Sequence, residues 1–110
     1  MYLPKHFEQG DREQLIALMR ARPLATLITT TPDGPSADLL PLEYIAGVGD
    51  HGTLRGHVAR ANPLWQRAGT TALAVFTGPE AYISPGWYAS KKEHGKVVPT
   101  WNYTMVQARG

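Results

Sequence analysis

The 110-residue chain contains no cysteine. Disulfide staples, thiolate metal sites and a cysteine nucleophile are therefore excluded. A chain of this size without staples is at home in a reducing compartment, so a cytoplasmic location is expected. No apolar run approaches the roughly 20 residues needed to span a bilayer. Met1 to Gln9 lacks the basic stretch and apolar run of a signal peptide. Charge is sparse: charged residues make up 18% and the net charge is +2. A dedicated DNA binder carries a basic stripe, and none is present. The nearest approach, Lys91-Lys92-Glu93-His94-Gly95-Lys96, reads as a solvated loop. His6, His51, His57 and His94 follow no metal-binding spacing, so no metal site is expected. The chain has no GxSxG, P-loop or GxGxxG motif, and Asp38 and Glu43 form no obvious carboxylate pair.

What remains is a globular composition, 43% apolar, in a chain of one domain's length. Eleven glycines and nine prolines favour many short elements over a helix bundle. Residues 1–10 read as an extended arm. Asp11 reads as an N-cap, and Gln14 completes a capping-box pattern. Leu15, Ile16, Leu18 and Met19 form one apolar stripe, so a helix is expected over Arg12 to Arg22, stopped by Pro23.

A barrel or sandwich is expected over residues 24 to 108. Leu24 to Thr31 is β-branched and reads as a strand. Pro32-Asp33-Gly34-Pro35 marks a turn slightly longer than the tightest kind. Ala37 to Ile45 reads as a second strand, with Pro41 demoting it to an edge or bulged position. Thr53 to Val58 makes a third. Asn62-Pro63 opens a short helix through Leu64, Trp65, Gln66 and Arg67, closed by Gly69. Thr71 to Thr77 is a fourth strand, apolar enough for burial on both faces. Gly78-Pro79 is expected to turn the chain into a fifth, Ala81 to Ser84. A long loop over Pro85 to Val98 precedes a sixth, Thr100 to Ala108. The expectation is a mainly β fold with six strands and two short α-helices. A barrel would remove the exposed edges of such a sheet.

The most informative segment is Thr53 to Trp65. A strand ends, Arg60 follows, and a capped helix begins. A helix start offers unpaired N–H groups, Arg60 a forked cation, and Gly56 a close approach to the backbone. Together they suit the phosphate of a cofactor. The plainer alternative is a simple helix cap beside a surface arginine. His57 is either a hydrogen-bonded structural residue or a contact to the same ligand. A second segment, Ala81 to Tyr103, holds two tryptophans and three tyrosines. Trp87, Tyr88, Trp101 and Tyr103 could stack on a flat ring, with Ser84, Ser90, Thr100 and Asn102 on its polar edge. Equally, these aromatics could fill a core or a dimer contact.

Several blocks resemble the PaiB-like family, described as FMN-binding negative transcriptional regulators. They are Met1-Tyr2-x-Pro4-x-His6-Phe7, Pro23-Leu24-Ala25-Thr26-Leu27, Gly56-His57-Val58-Ala59-Arg60-Ala61-Asn62-Pro63, Gly78-Pro79-x-Ala81-Tyr82-Ile83-Ser84-Pro85, Trp87-Tyr88, and Gly95 to Tyr103. The resemblance implies a split β-barrel related to the pyridoxamine-phosphate oxidase fold, with FMN at a homodimer interface. It also implies that the strand Asp38, Leu39, Leu40 and Leu42 and the segment Gly56, His57, Val58, Ala59, Arg60 and Asn62 line the flavin and hold its phosphate. Trp87, Tyr88, Lys91, Trp101 and Asn102 would border the pocket, some from the partner chain. Two residues depart from the family pattern: Asp38 stands where histidine is usual, and Ala89 where proline is favoured. Family members also run longer than this chain, so a fragment or a naturally short form is expected.

Three functions follow from this reading. The first is an FMN-binding regulator that senses flavin or a metabolite. The second is a flavin-dependent oxidoreductase acting on a small molecule, with the cofactor carrying the chemistry. The third is a stand-alone DNA-binding repressor, which the lack of a helix-turn-helix pattern and of a basic patch disfavours.

Overall fold

A computed structural model describes residues 1–83 and 100–110. Among these residues there is one α-helix, α1 (Arg12–Ala21). Six strands follow: β1 (Leu24–Thr31), β2 (Gly34–Pro41), β3 (Glu43–Ile45), β4 (Thr53–Arg55), β5 (Leu73–Ile83) and β6 (Thr100–Arg109). Two short 3-10 helices, Lys5–Phe7 and Pro63–Arg67, complete the set. The N-terminal arm is exposed apart from half-buried Pro4.

The strands form two antiparallel sheets. One has the order β2-β1-β5-β6, and the other is the β3–β4 hairpin. The mainly β class is as expected. The described residues close no barrel.

Five elements differ from the sequence expectation, each for a physical reason. The β1–β2 turn is the tight one, because Thr31 pairs with Gly34 around Pro32 and Asp33. Thr31 Oγ1 pins it, donating to the Gly34 carbonyl at 2.7 Å and accepting from the Asp33 N–H at 3.2 Å. The strand expected over Ala37 to Ile45 is two strands. β2 ends at Pro41 on the sheet edge, where a proline without an N–H is tolerated. Leu42 then donates its N–H to the Pro23 carbonyl at 2.9 Å, and β3 leaves for the second sheet.

The Gly78-Pro79 turn does not exist. β5 runs unbroken from Leu73 to Ile83. The two residues are absorbed as a bulge, opposite the single residue between Met105 and Tyr103 of β6. Gly78 is required there: a Cβ would collide with the Thr104 side chain and lie 2.9 Å from Leu18 Cδ1 of α1. Finally, the expected strand Thr53 to Val58 ends at Arg55, and the second helix is five residues of 3-10 rather than α. The expected loop over Pro85 to Val98 lies outside the described residues.

Strand alternation assigns the faces. Ala25 and Thr29 of β1, Leu40 of β2, Ala74 and Phe76 of β5, and Val106 of β6 point to one face and are buried. Met19 of α1 and Leu42 and Tyr44 of the β3 side cover that face and complete the core. β5 is therefore not buried on both faces, since Val75 is half-buried and Thr77 exposed. α1 starts as its sequence implies, with Asp11 Oδ1 accepting the Glu13 N–H at 3.0 Å. The other half of the capping box is replaced: the Asp11 N–H donates to Gln9 Oε1 at 3.0 Å.

Among the described residues, no helix is long and apolar enough to cross a membrane.

Candidate functional site

Between β4 and the Pro63–Arg67 helix, residues 56–62 belong to no strand. Their one backbone hydrogen bond among the described residues runs from the Asn62 N–H to the Ala59 carbonyl, at 2.8 Å. The amides of His57, Val58, Ala59 and Arg60 are thus not committed to a ladder. The segment is held at its start by close packing. A Cβ on Gly56 would stand 2.8 Å from Leu42 Cδ2 and 2.9 Å from the Pro41 carbonyl oxygen. The glycine therefore admits the protein's own β2–β3 corner, not a ligand.

Further along, half-buried Val58 and Leu64 pack on the core. Asn62 caps the 3-10 helix, its Oδ1 accepting the Leu64 N–H at 2.9 Å. Trp65 Nε1 donates back to the Arg60 carbonyl at 3.0 Å, closing the segment on itself. With only five residues, the helix is too short to offer the charge of a longer helix start. The groups available to an anion here are Arg60, His57 and the amides outside the ladders.

Two side chains of this region reach across to the sheet. Asn62 Nδ2 donates to Asp38 Oδ1 at 3.3 Å. Arg67 Nη1 donates to Thr29 Oγ1 at 2.9 Å and lies 3.7 Å from Asp38 Oδ2. Asp38 points to the core face, paired across from Leu27. A carboxylate on such a face requires a cation or donors.

An open cleft of about 490 Å³ adjoins the start of the segment. Gly56, His57, Leu42, Pro41, Tyr44 and Pro23 line it, with Arg20 and Arg55 as cations and Glu43 as the one carboxylate. Arg55 pairs with Glu43 at 3.1 Å on the surface. The Arg20 guanidinium sits 5.7 Å from the centre of the Tyr44 ring. Tyr44 is fixed in turn, its hydroxyl donating to the His51 carbonyl at 3.1 Å and accepting from Arg12 at 3.1 Å. Arg12 also donates to that carbonyl.

The residues singled out in the sequence fall into four places. Gly56 and His57 line the cleft, while Ala59 and Arg60 are exposed beside it. Asp38 and Asn62 are joined to each other. Leu40 and Leu42 are buried in the core, and Leu39, by alternation, emerges on the opposite face, 67% exposed. Trp101 and Asn102 are exposed on β6, opposite Tyr82 and Ala81. Trp87, Tyr88 and Lys91 lie outside the described residues. The sequence reading missed Arg20, Arg55 and Tyr44 in the cleft and Arg67 beneath the segment. For Arg67 a signal was present: Asp38 shares a face with Leu40, so it needed a partner.

The family model described as "Putative FMN-binding domain" matches residues 1–110, the whole chain. The chain belongs to this PaiB-like FMN-binding family. It is 37% identical over 112 residues to Protease synthase and sporulation protein PAI 2 of Bacillus subtilis, covering 51% of that protein. It is 30% identical over 131 residues to an uncharacterized protein of Saccharomyces cerevisiae, covering 76% of it. An uncharacterized protein of Emericella nidulans is 33% identical over 139 residues, with 55% of it covered. The chain thus spans about half the length of the Bacillus and Emericella relatives. FMN is the family's cofactor. The donor set fits it: Arg60, His57 and uncommitted amides suit a phosphate, and the adjoining cleft has room for a flat ring.

Proposed function

We propose that this is an FMN-binding regulatory protein that senses the flavin or a metabolite through it. Its phosphate site is the Gly56–Asn62 segment, and a second copy of the chain completes the flavin pocket. The observation that carries this reading is the segment itself: backbone amides held out of both sheets, beside Arg60 and His57. When bound, FMN supplies hydride or single-electron chemistry. The chain's own residues bind and orient it.

The dimer is supported by shape. The Cα radius of gyration is 18.0 Å, against about 13 Å for a compact domain of this length. β1 pairs with β5 only over Leu73 to Val75, so β5 and β6 continue past it as a two-stranded ribbon. Such a ribbon alone is marginally stable in water. Trp101, 58% exposed, and Asn102 sit on this extension, where they reach a partner's cleft. In this reading the two sheets are parts of a split barrel. A regulatory role is favoured by the name of the Bacillus relative, which joins protease synthase with sporulation. The modest net charge of +2 favours an indirect effect on transcription over direct DNA contact. The openness of the cleft beside the segment supports a second reading, an FMN-dependent oxidoreductase with a small substrate in that space.

Titration with FMN, followed by flavin fluorescence, tests the first reading. Uptake by the wild-type chain is expected, and Arg60→Ala should weaken it by about 1.5–3 kcal/mol, the scale of a hydrogen bond to a charged group. Unchanged affinity would place the phosphate elsewhere. Bleaching of bound flavin by a nicotinamide reductant would favour the oxidoreductase.

A further inference from the structure

We propose that Asp38 and Arg67 form a latch that positions the phosphate segment, so that discrimination between FMN and unphosphorylated riboflavin depends on this pair as well as on Arg60. The proposal rests on the reading of residues 56–62 as the phosphate site.

The segment has little else to hold it. It pairs with no strand, and the 3-10 helix that follows contains no buried residue. Its apolar anchors are Val58 and Leu64, both only half-buried. Two apolar side chains resist lifting from the sheet but do not fix rotation or sliding. Two hydrogen bonds and an ion pair do, and they converge on one place. Arg67, from the last turn of the helix, bridges Thr29 Oγ1 and Asp38 Oδ2. Asn62, from its cap, reaches the other oxygen of the same carboxylate. Asp38 therefore ties both ends of the 3-10 helix to the sheet.

The environment strengthens the tie. Thr29 is 5% exposed, and the Asp38 and Arg67 side chains are 24% and 21% exposed. Ion pairs so removed from water are screened less than surface pairs such as Arg55–Glu43. Breaking one partner leaves the other charge uncompensated. Asn62 carries the effect onward. Its Nδ2 is on Asp38 and its Oδ1 on the Leu64 N–H, so its amide plane is fixed from both sides. The turn that Asn62 closes on the Ala59 carbonyl then sets where the amides of Ala59 and Arg60 point. Asp38 and Arg67 act as positioning residues in this arrangement, working through Asn62.

The test uses the full chain with Asp38→Asn and Arg67→Met, and Arg67→Lys as the conservative variant. Two readouts separate the latch from the phosphate site. The first needs no cofactor: hydrogen exchange of the Leu64 amide, which Asn62 holds. Both disruptive variants should speed it about tenfold or more while exchange in the β1–β5 ladder is unchanged. The second is the ratio of riboflavin to FMN dissociation constants. It should fall about tenfold through weaker FMN binding alone, with riboflavin affinity retained. Arg67→Lys should recover part of both effects.

Unchanged Leu64 exchange in both disruptive variants would overturn the latch, whatever FMN does. Equal weakening of FMN and riboflavin would also overturn it, by reducing the pair to a general structural role. Faster Leu64 exchange, with a wild-type chain that binds FMN and riboflavin equally, would instead overturn the phosphate reading of the segment.

Discussion

The two faces of the β2-β1-β5-β6 sheet are built from similar residues and end in different states. On one face Ala25, Leu40, Ala74, Phe76 and Val106 are buried. On the other, Leu39 is 67% and Leu24 55% exposed, while Thr26, Ile28, Leu73 and Val75 are half-buried. The difference is cover. α1, the β3–β4 hairpin and the Pro63–Arg67 helix all lie on the first face. Around Leu39 and Val75 of the second is an open hollow of about 400 Å³, bordered by the chain where α1 passes into β1, Ala21 to Pro23. Strand composition alone does not decide burial. What folds over the strand decides it.

The largest expected effect breaks the covered face. Phe76 is the largest fully buried side chain among the described residues, and α1 lies over it. Phe76→Ala should cost about 3–5 kcal/mol, combining lost burial with the cavity left behind. Urea denaturation measures it. A loss near zero would mean that folding free energy resides elsewhere. An intermediate effect sharpens the contrast from the other side. Leu39→Lys places a charge on the outer face without touching the core. If a second copy covers that face, sedimentation should show association weakened, with the dimer dissociation constant raised about tenfold or more. Stability of the dissociated chain should stay within about 0.5 kcal/mol. A dimer that ignores Leu39→Lys would leave the outer face out of the interface and confine it to the β5–β6 ribbon.

The same contrast explains what the sequence could and could not tell. β1 was legible because Leu24 to Thr31 is β-branched and bounded by Pro23 and Pro32. α1 was legible from its stripe and from Asp11. The Gly78-Pro79 pair misled because the same dipeptide serves a turn or a bulge. The choice depends on β6, more than twenty residues away, pairing on both sides of it. The end of β4 at Arg55 was hidden for the same kind of reason, since it depends on Gly56 meeting Leu42 and Pro41 at the β2–β3 corner. In the site, Arg60 and Asn62 could be picked out from local spacing. For Arg67 local spacing did not suffice: Asp38 on the face of Leu40 signalled the need for a partner, but only the fold shows that Arg67, far away in the chain, supplies it. Local chemistry was readable, and long-range contacts had to be observed.

The smallest effect concerns how the cover of the buried face is itself held. α1 has ten residues, too few to be stable alone in water. Burial of Met19 and its neighbours holds it, and the cap adds a directional contribution. Asp11 accepts the Glu13 N–H, so Asp11→Ala should cost about 1 kcal/mol by urea denaturation. The sequence pattern assigns Gln14 the reciprocal role, but Gln9 holds the Asp11 N–H. Gln14→Ala should then be close to neutral, within about 0.5 kcal/mol, as for an exposed side chain without a hydrogen-bond partner among the described residues. Gln9→Ala should show the small loss instead. Equal losses for Gln14→Ala and Asp11→Ala would restore the reciprocal box and show that the pattern, not the N-terminal arm, sets the start of the helix. That would also remove the arm from the set of elements on which the covered face depends.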